Sequence, residues 1–250
     1  MNNDHESVRN FVNGADHKAH VPRYPTNKFI AQSRQAARLQ ERRLTTLKQV
    51  LVCGKPFYVL AGVYDTGLDT ELMVDAVRIS RSELFLEIGC GTGAASVLIA
   101  QRAKLGIGVD INPIAIENSV RNARLHAVEN VKFIESDLFQ AVRDKFDVIV
   151  CNPPYSCYPA KDVIDMMFWD PQDQMKRRLF CEVRSHLKPH GRLYFGWADF
   201  KDLDYSLPQR LAQQHGLSLR CIKERISPSG AYRFKVIEFQ NTPVSRNHSH

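Results

Sequence analysis

The pattern of apolar and polar positions divides most of the chain into short buried strands and amphipathic helices that alternate. Apolar runs typical of buried strands recur from residue 84 onward, each followed by a helical or turn pattern. The predicted strands are 84–88, 106–110, 131–134, 146–150 and 191–197, and the predicted helices are 94–103, 113–126, about 172–187 and 206–215. This alternation predicts an α/β fold, with a parallel sheet that carries helices on both faces.

The two ends of the chain depart from this alternation. Residues 217–226 and 231–239 are strand patterns joined by Ser227-Pro228-Ser229-Gly230, which predicts an antiparallel hairpin that completes a doubly wound sheet of seven strands. At the other end, residues 1–25 are polar and indicate a flexible arm, and a helical stripe over 26–51 follows. The stripe consists of Ile30, Ala37, Leu44, Leu47 and Leu51. The predicted organisation is an arm and helix over 1–55, a main domain over 56–240 and a tail over 241–250.

Composition limits the classes of protein that the chain can represent. Its 250 residues are 44% hydrophobic, enough for one large domain with a small appendage. No apolar run is long enough to cross a membrane, and the polar N-terminus does not fit a secretory signal. The six cysteines include no Cys-x-x-Cys pair and the nine histidines show no zinc spacing. We therefore expect a reduced, cytoplasmic protein without a metal site.

The net charge of +7 is concentrated near the N-terminus. Residues 1–55 contain ten Lys or Arg against four Asp or Glu, a balance of +6. Such a segment can attract RNA, DNA or another acidic partner, and the alternative is a solvated helix face. The helix is expected to pack on the main domain or to lie near its active edge. The side chains expected to hold an acidic partner are Arg34, Arg38, Arg42 and Arg43.

A glycine loop after the first strand of the main domain carries the first chemical signal. Gly89, Gly91 and Gly93 follow Glu87, and Asp110 ends the next strand, 21 residues after Gly89. An acid at this offset hydrogen-bonds ribose hydroxyls in nucleotide-binding α/β folds. The spacing is not the Gly-x-Gly-x-x-Gly of dinucleotide sites, and Glu87 would repel a pyrophosphate. S-adenosyl-L-methionine has no phosphate and carries a sulfonium and an amino group, so the loop favours it over NAD.

Two later segments add candidate ligand groups. Asp137 follows the third strand and can either reach an adenine amino group or cap a helix. Asn152-Pro153-Pro154-Tyr155 follows the strand 146–150, and its prolines predict a stiff extended loop at the carboxyl edge of the sheet, where ligands bind. The Asn152 amide, the loop carbonyls and the flat Tyr155 ring are suited to a planar group that bears an NH2.

Residues 57–240 resemble class I S-adenosyl-L-methionine-dependent methyltransferases, which have a Rossmann-like fold. Asn152-Pro153-Pro154-Tyr155 looks like the signature of enzymes that methylate planar, conjugated nitrogens, among them release-factor glutamine, adenine-N6 and guanine-N2 methyltransferases. The segment 62–72 is similar to the corresponding segment of the glutamine-methyltransferase branch. The resemblance implies catalytic or substrate contacts from Asn152, Pro153 and Tyr155. The cofactor contacts expected with it are Glu87, Gly89, Gly91, Gly93, Asp110, Asp137 and Asn152.

The predicted activity is therefore methylation of a planar nitrogen, with a protein glutamine amide as the expected acceptor. The Asn152 side-chain oxygen and the Pro153 carbonyl would accept its two N–H groups and direct the nitrogen lone pair toward the methyl carbon. Three alternatives stay open: an RNA or DNA base methyltransferase, a small-molecule N-methyltransferase, and a cofactor-binding scaffold without activity. The partner is thus a protein, a peptide or a nucleic acid, and the oligomeric state is open.

Overall fold

The computed structural model describes residues 28–200 and 203–241, with side chains from residue 32 onward. The predicted flexible arm, residues 1–25, and nearly all of the predicted tail lie outside these ranges. The helices are α1 Lys28–Leu44, α2 Leu68–Ala76, α3 Ala94–Ala100, α4 Pro113–Leu125, α5 Gln174–His186 and α6 Leu207–Gln214. The strands are β1 Leu47–Val52, β2 Lys55–Leu60, β3 Leu84–Ile88, β4 Leu105–Asp110, β5 Val131–Glu135, β6 Phe146–Cys151, β7 Leu187–Ala198, β8 Leu217–Ile226 and β9 Arg233–Asn241.

The main sheet of the described chain has seven strands in the order β5-β4-β3-β6-β7-β9-β8. The pairs β3–β4, β4–β5, β3–β6 and β6–β7 are parallel, and β9 runs antiparallel to both β7 and β8. The predicted mostly parallel sheet with a C-terminal antiparallel hairpin is thus confirmed. Strand order reverses beside β3, so a crevice is expected outside the carboxyl ends of β3, β4 and β6.

Alternating side chains of the central strands enter two cores, one on each face of the sheet. Phe85 faces the core that contains α2 and α3, whereas its neighbour Leu86 faces the core that contains α5 and α6. Both side chains are fully buried. Because both faces are covered, the central strands are apolar nearly throughout, which is why they appear as continuous runs in the sequence.

The predicted single helix over 26–51 is wrong in its second half. The helix ends at Leu44, and β1 pairs in antiparallel register with β2 to form a separate two-stranded sheet. Cys53 and Gly54 join the strands with φ values of 50° and 73°, the left-handed geometry of a tight hairpin turn. Leu47 and Leu51, assigned to the buried helical stripe, are 54% and 67% exposed. The hairpin spans the predicted boundary between the N-terminal arm and the main domain, which lies between residues 55 and 56. The division of the chain into an arm and a domain stays a prediction.

No helix in residues 28–200 or 203–241 combines the length and the apolar character that crossing a membrane requires.

Candidate active site

A cavity of about 450 Å³ lies at the carboxyl edge of β3, β4 and β6. Its walls are the glycine loop, the segment before α2, the loop after β6, and α1. The cavity brings together nearly the whole predicted set of site residues. Those that line it are Glu87, Gly89, Gly91, Asp110, Asp137, Asn152, Pro153 and Tyr155.

The three glycines of the loop have different roles. Gly89 and Gly91 adopt positive φ, and a Cβ atom on either would meet nothing within 4 Å, so a ligand can approach their backbone closely. Gly93 is not among the described residues that line the cavity. A Cβ on Gly93 would lie 2.8 Å from Cβ of Ser119 on α4. The cofactor contact of Gly93 stays a prediction, and the role that the contacts of this glycine indicate is packing, since it lets α3 approach α4.

Asp110 is held rigidly at the end of β4. One carboxylate oxygen accepts a hydrogen bond from the Gly91 backbone N–H and the other accepts one from the Asn112 backbone N–H, each at 2.9 Å. Burial raises the pKa of Asp110, although these hydrogen bonds favour its ionised form. A carboxylate oxygen can accept more than one hydrogen bond, so this fixed group is suited to a pair of ribose hydroxyls.

Glu87 is a buried acid whose pKa is raised. It is 4% exposed, accepts a hydrogen bond from the Ser96 hydroxyl, and burial raises its pKa to about 8, with a further contribution from the charge of Asp110. A buried acid of this kind favours a cationic ligand, because a nearby positive charge stabilises the ionised form. A positively charged group of a ligand beside Glu87 is therefore chemically consistent with its surroundings, whereas a pyrophosphate is not.

Asp137 lies on the rim of the cavity and forms an ion pair with Arg178 of α5, with N–O distances of 2.9 and 3.0 Å. The alternative interpretation of Asp137 as a helix cap is wrong, since a turn follows it and no helix begins there in the described chain.

The Asn152 side chain is oriented by a buried acid, Asp69. Asn152 Nδ2 donates to Asp69 Oδ2 at 2.9 Å, and Tyr64 Oη donates to the same oxygen at 3.0 Å. Because an ionised carboxylate only accepts, the Asn152 amide turns its NH2 toward Asp69 and its oxygen away. The residue that caps α2 is Gly67, and Asp69 lies in the first turn. The available signal for Asp69 was its place within the segment 62–72.

Two other residues of the Asn152 loop bond to Asn152 itself or to side chains of the protein interior. Tyr155 Oη donates to Asn152 Oδ1 at 2.6 Å, and its ring packs edge-on against Phe200 at 5.7 Å between centroids. The carbonyl of Pro154 accepts from the buried Lys176 on α5, a residue that no sequence pattern singled out. Among the hydrogen bonds of the described chain, none engages the Pro153 carbonyl.

The helix α1 lies over the cavity, as predicted, and contributes Arg34, Gln35 and Arg38 to its wall. Arg38 forms an ion pair with Asp65 at 2.5 Å and lies 5.2 Å from the Phe168 ring centroid.

The other arginines of α1 also bond within the chain. Arg34 donates to Tyr232 Oη, Arg42 to the carbonyls of Leu60 and Val63, and Arg43 to Asp162 and Asp165. Arg42 is fully buried, so it is not accessible to a partner. That Arg34, Arg38 and Arg43 hold an acidic partner stays a prediction, although each also bonds within the chain.

Comparisons with known proteins agree with this geometry. A family described as "Methyltransferase domain" matches residues 79–238. A putative protein N5-glutamine methyltransferase of Methanocaldococcus jannaschii is 46% identical over 136 residues, which cover 52% of this chain and 68% of that protein. A release factor glutamine methyltransferase of Fusobacterium nucleatum is 41% identical over 110 residues, and the match spans 41% of this chain but only 31% of that relative's length.

Solved structures show the same fold at low identity. The N-methyltransferase NodS of Bradyrhizobium japonicum, in complex with S-adenosyl-L-homocysteine, gives a TM-score of 0.51 at 20% identity over 69% of this chain and 83% of its own. Trm5 of Methanocaldococcus jannaschii, in complex with adenosine, gives a TM-score of 0.59 at 18% identity. The match covers 80% of this chain and 57% of the Trm5 chain. The chain belongs to the methyltransferase domain family and is, as its motifs predict, an S-adenosyl-L-methionine-dependent methyltransferase with a Rossmann-like fold.

Proposed function

We propose that this methyltransferase modifies the side-chain amide nitrogen of a glutamine in a protein or peptide. The observation that carries the proposal is the orientation of the Asn152 amide. Asn152 Nδ2 donates to Asp69 Oδ2 at 2.9 Å, so the amide oxygen of Asn152 is turned away from the Asp69 carboxylate. The similarity to the putative protein N5-glutamine methyltransferase of Methanocaldococcus jannaschii adds support for this acceptor.

The residues at the cofactor end of the cavity fit S-adenosyl-L-methionine. Gly89 and Gly91 leave room at the backbone, Asp110 suits the ribose hydroxyls, and Glu87 suits a cationic group. The bound cofactor supplies an electrophilic methyl carbon, so the protein contributes mainly the position of the acceptor and the polarity around it.

The acceptor nitrogen is a poor nucleophile because its lone pair is delocalised into the carbonyl group. Two acceptors, Asn152 Oδ1 and the Pro153 carbonyl, would bind its two N–H groups and leave the lone pair directed out of the amide plane. The hydroxyl of Tyr155 would then share or give up its hydrogen bond to Asn152 Oδ1. Asp69, one hydrogen bond behind Asn152, polarises that amide and strengthens its oxygen as an acceptor.

An exocyclic amine of adenine or guanine offers the same two N–H groups, and one feature favours it as the second candidate. Phe200, Tyr232 and Phe234 line the cavity beside Tyr155, and Phe200 lies 5.0 Å from Tyr232 between ring centroids. Aromatic faces of this kind stack on bases.

The cytoplasmic location expected from the sequence also stays a prediction.

The proposal is tested first with labelled cofactor and cell extract. The extract is divided into portions treated with protease or nuclease, and we expect the label to be sensitive to protease. Mass spectrometry of digested peptides then locates the methyl group. A label that survives protease and is lost with nuclease would reject the glutamine acceptor and favour the base.

The Asn152→Ala variant tests the site itself. We expect the turnover number to fall about 10²-fold or more, as for other preorganised transition-state groups, while cofactor affinity measured by calorimetry changes less than about twofold. Asn130→Ala is the matched control, since Asn130 binds the Ala100 carbonyl at the opposite edge of the sheet. It should lower stability and retain turnover. Normal turnover in Asn152→Ala would reduce the loop to a structural turn.

A further inference from the structure

A buried lysine bonds to the backbone of the Asn152–Tyr155 loop. Lys176 of α5 is fully buried and is not among the described residues that line the cavity. Its Nζ donates to the Pro154 carbonyl at 2.9 Å and, at 3.4 Å, to the Tyr155 carbonyl. An ammonium group is costly to bury unless it is paired and hydrogen-bonded, so its place here requires compensation.

Two carboxylates and an aromatic ring provide that compensation. Nζ lies 3.0 Å from Asp170 Oδ2 and 3.1 Å from Asp173 Oδ1, and 5.7 Å from the Trp197 ring centroid. The cluster of Lys176, Asp170 and Asp173 carries a formal charge of −1 when all three are ionised. It therefore does not oppose the positive charge that develops on an acceptor nitrogen during methyl transfer.

The same cluster also connects the loop to the start of α5. The Asp170 carboxylate accepts from the backbone N–H groups of Met175 and Lys176, at 2.8 and 3.1 Å. The Asp170 backbone N–H donates to the Ser156 carbonyl at 2.8 Å. A change at Lys176 is thus expected to reach the loop directly, through its carbonyls, and indirectly, through Asp170.

The composition of the loop explains why a cation suits this position. Pro153 and Pro154 have no backbone N–H, so the only hydrogen-bonding groups that these two residues offer the protein are their carbonyls. Lys176 binds the carbonyls of Pro154 and Tyr155 on the interior side. The orientation of these two peptide planes constrains the preceding residues Asn152 and Pro153, which line the cavity.

We propose that Lys176 is a positioning residue for methyl transfer, which holds the Asn152–Tyr155 loop in the geometry that binds the acceptor. The proposal rests on the proposed function, in which this loop binds the acceptor nitrogen. It predicts a defect in turnover that is separate from any defect in cofactor binding or folding.

The first experiment compares Lys176→Met with Val183→Ala. Both residues are buried on α5, but Val183 packs in the core and lies away from the loop. At saturating cofactor and acceptor we expect kcat of Lys176→Met to fall about 10- to 100-fold, because small misplacements of reacting groups have effects of this size. The cofactor Kd should change less than about twofold. Val183→Ala should lower Tm while kcat stays within about twofold of wild type.

Further variants keep the proposal open to refutation if Lys176→Met does not fold. Asp173→Asn removes the more exposed carboxylate of the cluster and should give a smaller loss of kcat in the same direction. Lys176→Arg keeps a cation at this position, and its kcat should be at least tenfold higher than that of Lys176→Met. Unchanged kcat in the folded variants, or equal losses of kcat in Lys176→Met and Val183→Ala, would overturn the proposal.

A crystal structure of Lys176→Met with bound cofactor separates this proposal from the proposed function. We expect the backbone of 153–155 to be displaced relative to wild type. If it superposes on the wild-type loop, the positioning role is refuted whatever the acceptor is. If wild-type protein fails to methylate glutamine peptides but the loop of the variant is displaced, the acceptor assignment fails and the structural role of Lys176 stands.

Discussion

Glu87 is buried near the end of β3, and burial raises its pKa to about 8 from the ordinary value of 4.5. As pH rises from 4.5 toward 8, the unfolded chain releases the proton and the folded chain keeps it, so stability falls across this window. Glu87→Gln should remove this loss, on the order of a few kcal/mol at most.

Urea unfolding of the cofactor-free protein at about pH 5 and about pH 8 measures the effect. Glu135→Gln, at the exposed end of β5, is the control and should keep the wild-type pH dependence. A Glu87→Gln protein that loses as much stability as wild type between the two pH values would contradict the raised pKa.

Gly196 leaves free the space that the Asn152 side chain occupies. It lies on β7 beside Asn152, and a Cβ at this position would lie 2.3 Å from Asn152 Oδ1. Gly196→Ala should therefore displace the amide and lower kcat about 10²-fold, with cofactor affinity retained. Gly191→Ala on the same strand, where the Cβ would meet the Lys188 carbonyl at 2.9 Å, should lower stability and spare kcat. Wild-type kcat in Gly196→Ala would show that Asn152 tolerates displacement.

At the scale of elements, α1 and the β1–β2 hairpin are joined through one buried side chain. Arg42 donates to the carbonyls of Leu60 at 2.6 Å and Val63 at 3.0 Å, and burial lowers its pKa from the ordinary arginine value. These contacts fix the helix beside the segment that precedes α2, and so they close one wall of the cavity.

Arg42→Gln should lower the free energy of unfolding by about 1–3 kcal/mol, since it leaves buried carbonyls without donors. The comparison is Arg121→Gln, which removes an exposed pair with Glu117 on α4 and should cost about 0.5 kcal/mol or less. Urea unfolding measures both variants. If both variants lose a similarly small amount of unfolding free energy, the contacts of Arg42 contribute little to the attachment of α1.

At the scale of the whole molecule, part of the net charge of +7 lies on α1. Its arginines and the nearby Lys48 bond to groups of the same chain, Lys48 to Asp65 at 3.0 Å. A protein acceptor bound mainly through the Asn152 loop should therefore respond weakly to salt.

We expect kcat/KM for a glutamine peptide to change less than about threefold between 50 and 200 mM salt. Binding through six to ten phosphate contacts would lose about 10³- to 10⁵-fold over this range. Steady-state kinetics with the best acceptor from the extract measures how kcat/KM changes with salt concentration. A loss of 100-fold or more would favour a nucleic-acid acceptor and contradict the interpretation of the internal pairs.

The amino-acid sequence by itself determined the features that are local along the chain. The alternating strands and helices, the glycine loop, Asp110 and the Asn152 loop were all predictable, because each depends on the backbone preferences and spacing of neighbouring residues. The predicted sheet is confirmed for the same reason, since buried parallel strands must be apolar on both faces.

Only the tertiary structure decided which distant groups meet. Asp69 and Asn152 are 83 positions apart and Lys176 reaches a carbonyl 22 positions away, so no local pattern indicates either contact. The stripe over 26–51 also fitted a helix, and pairing of β1 with β2 turned its second half into a strand. In each case the free energy comes from contacts between separate segments, which periodicity and propensity along one segment do not encode.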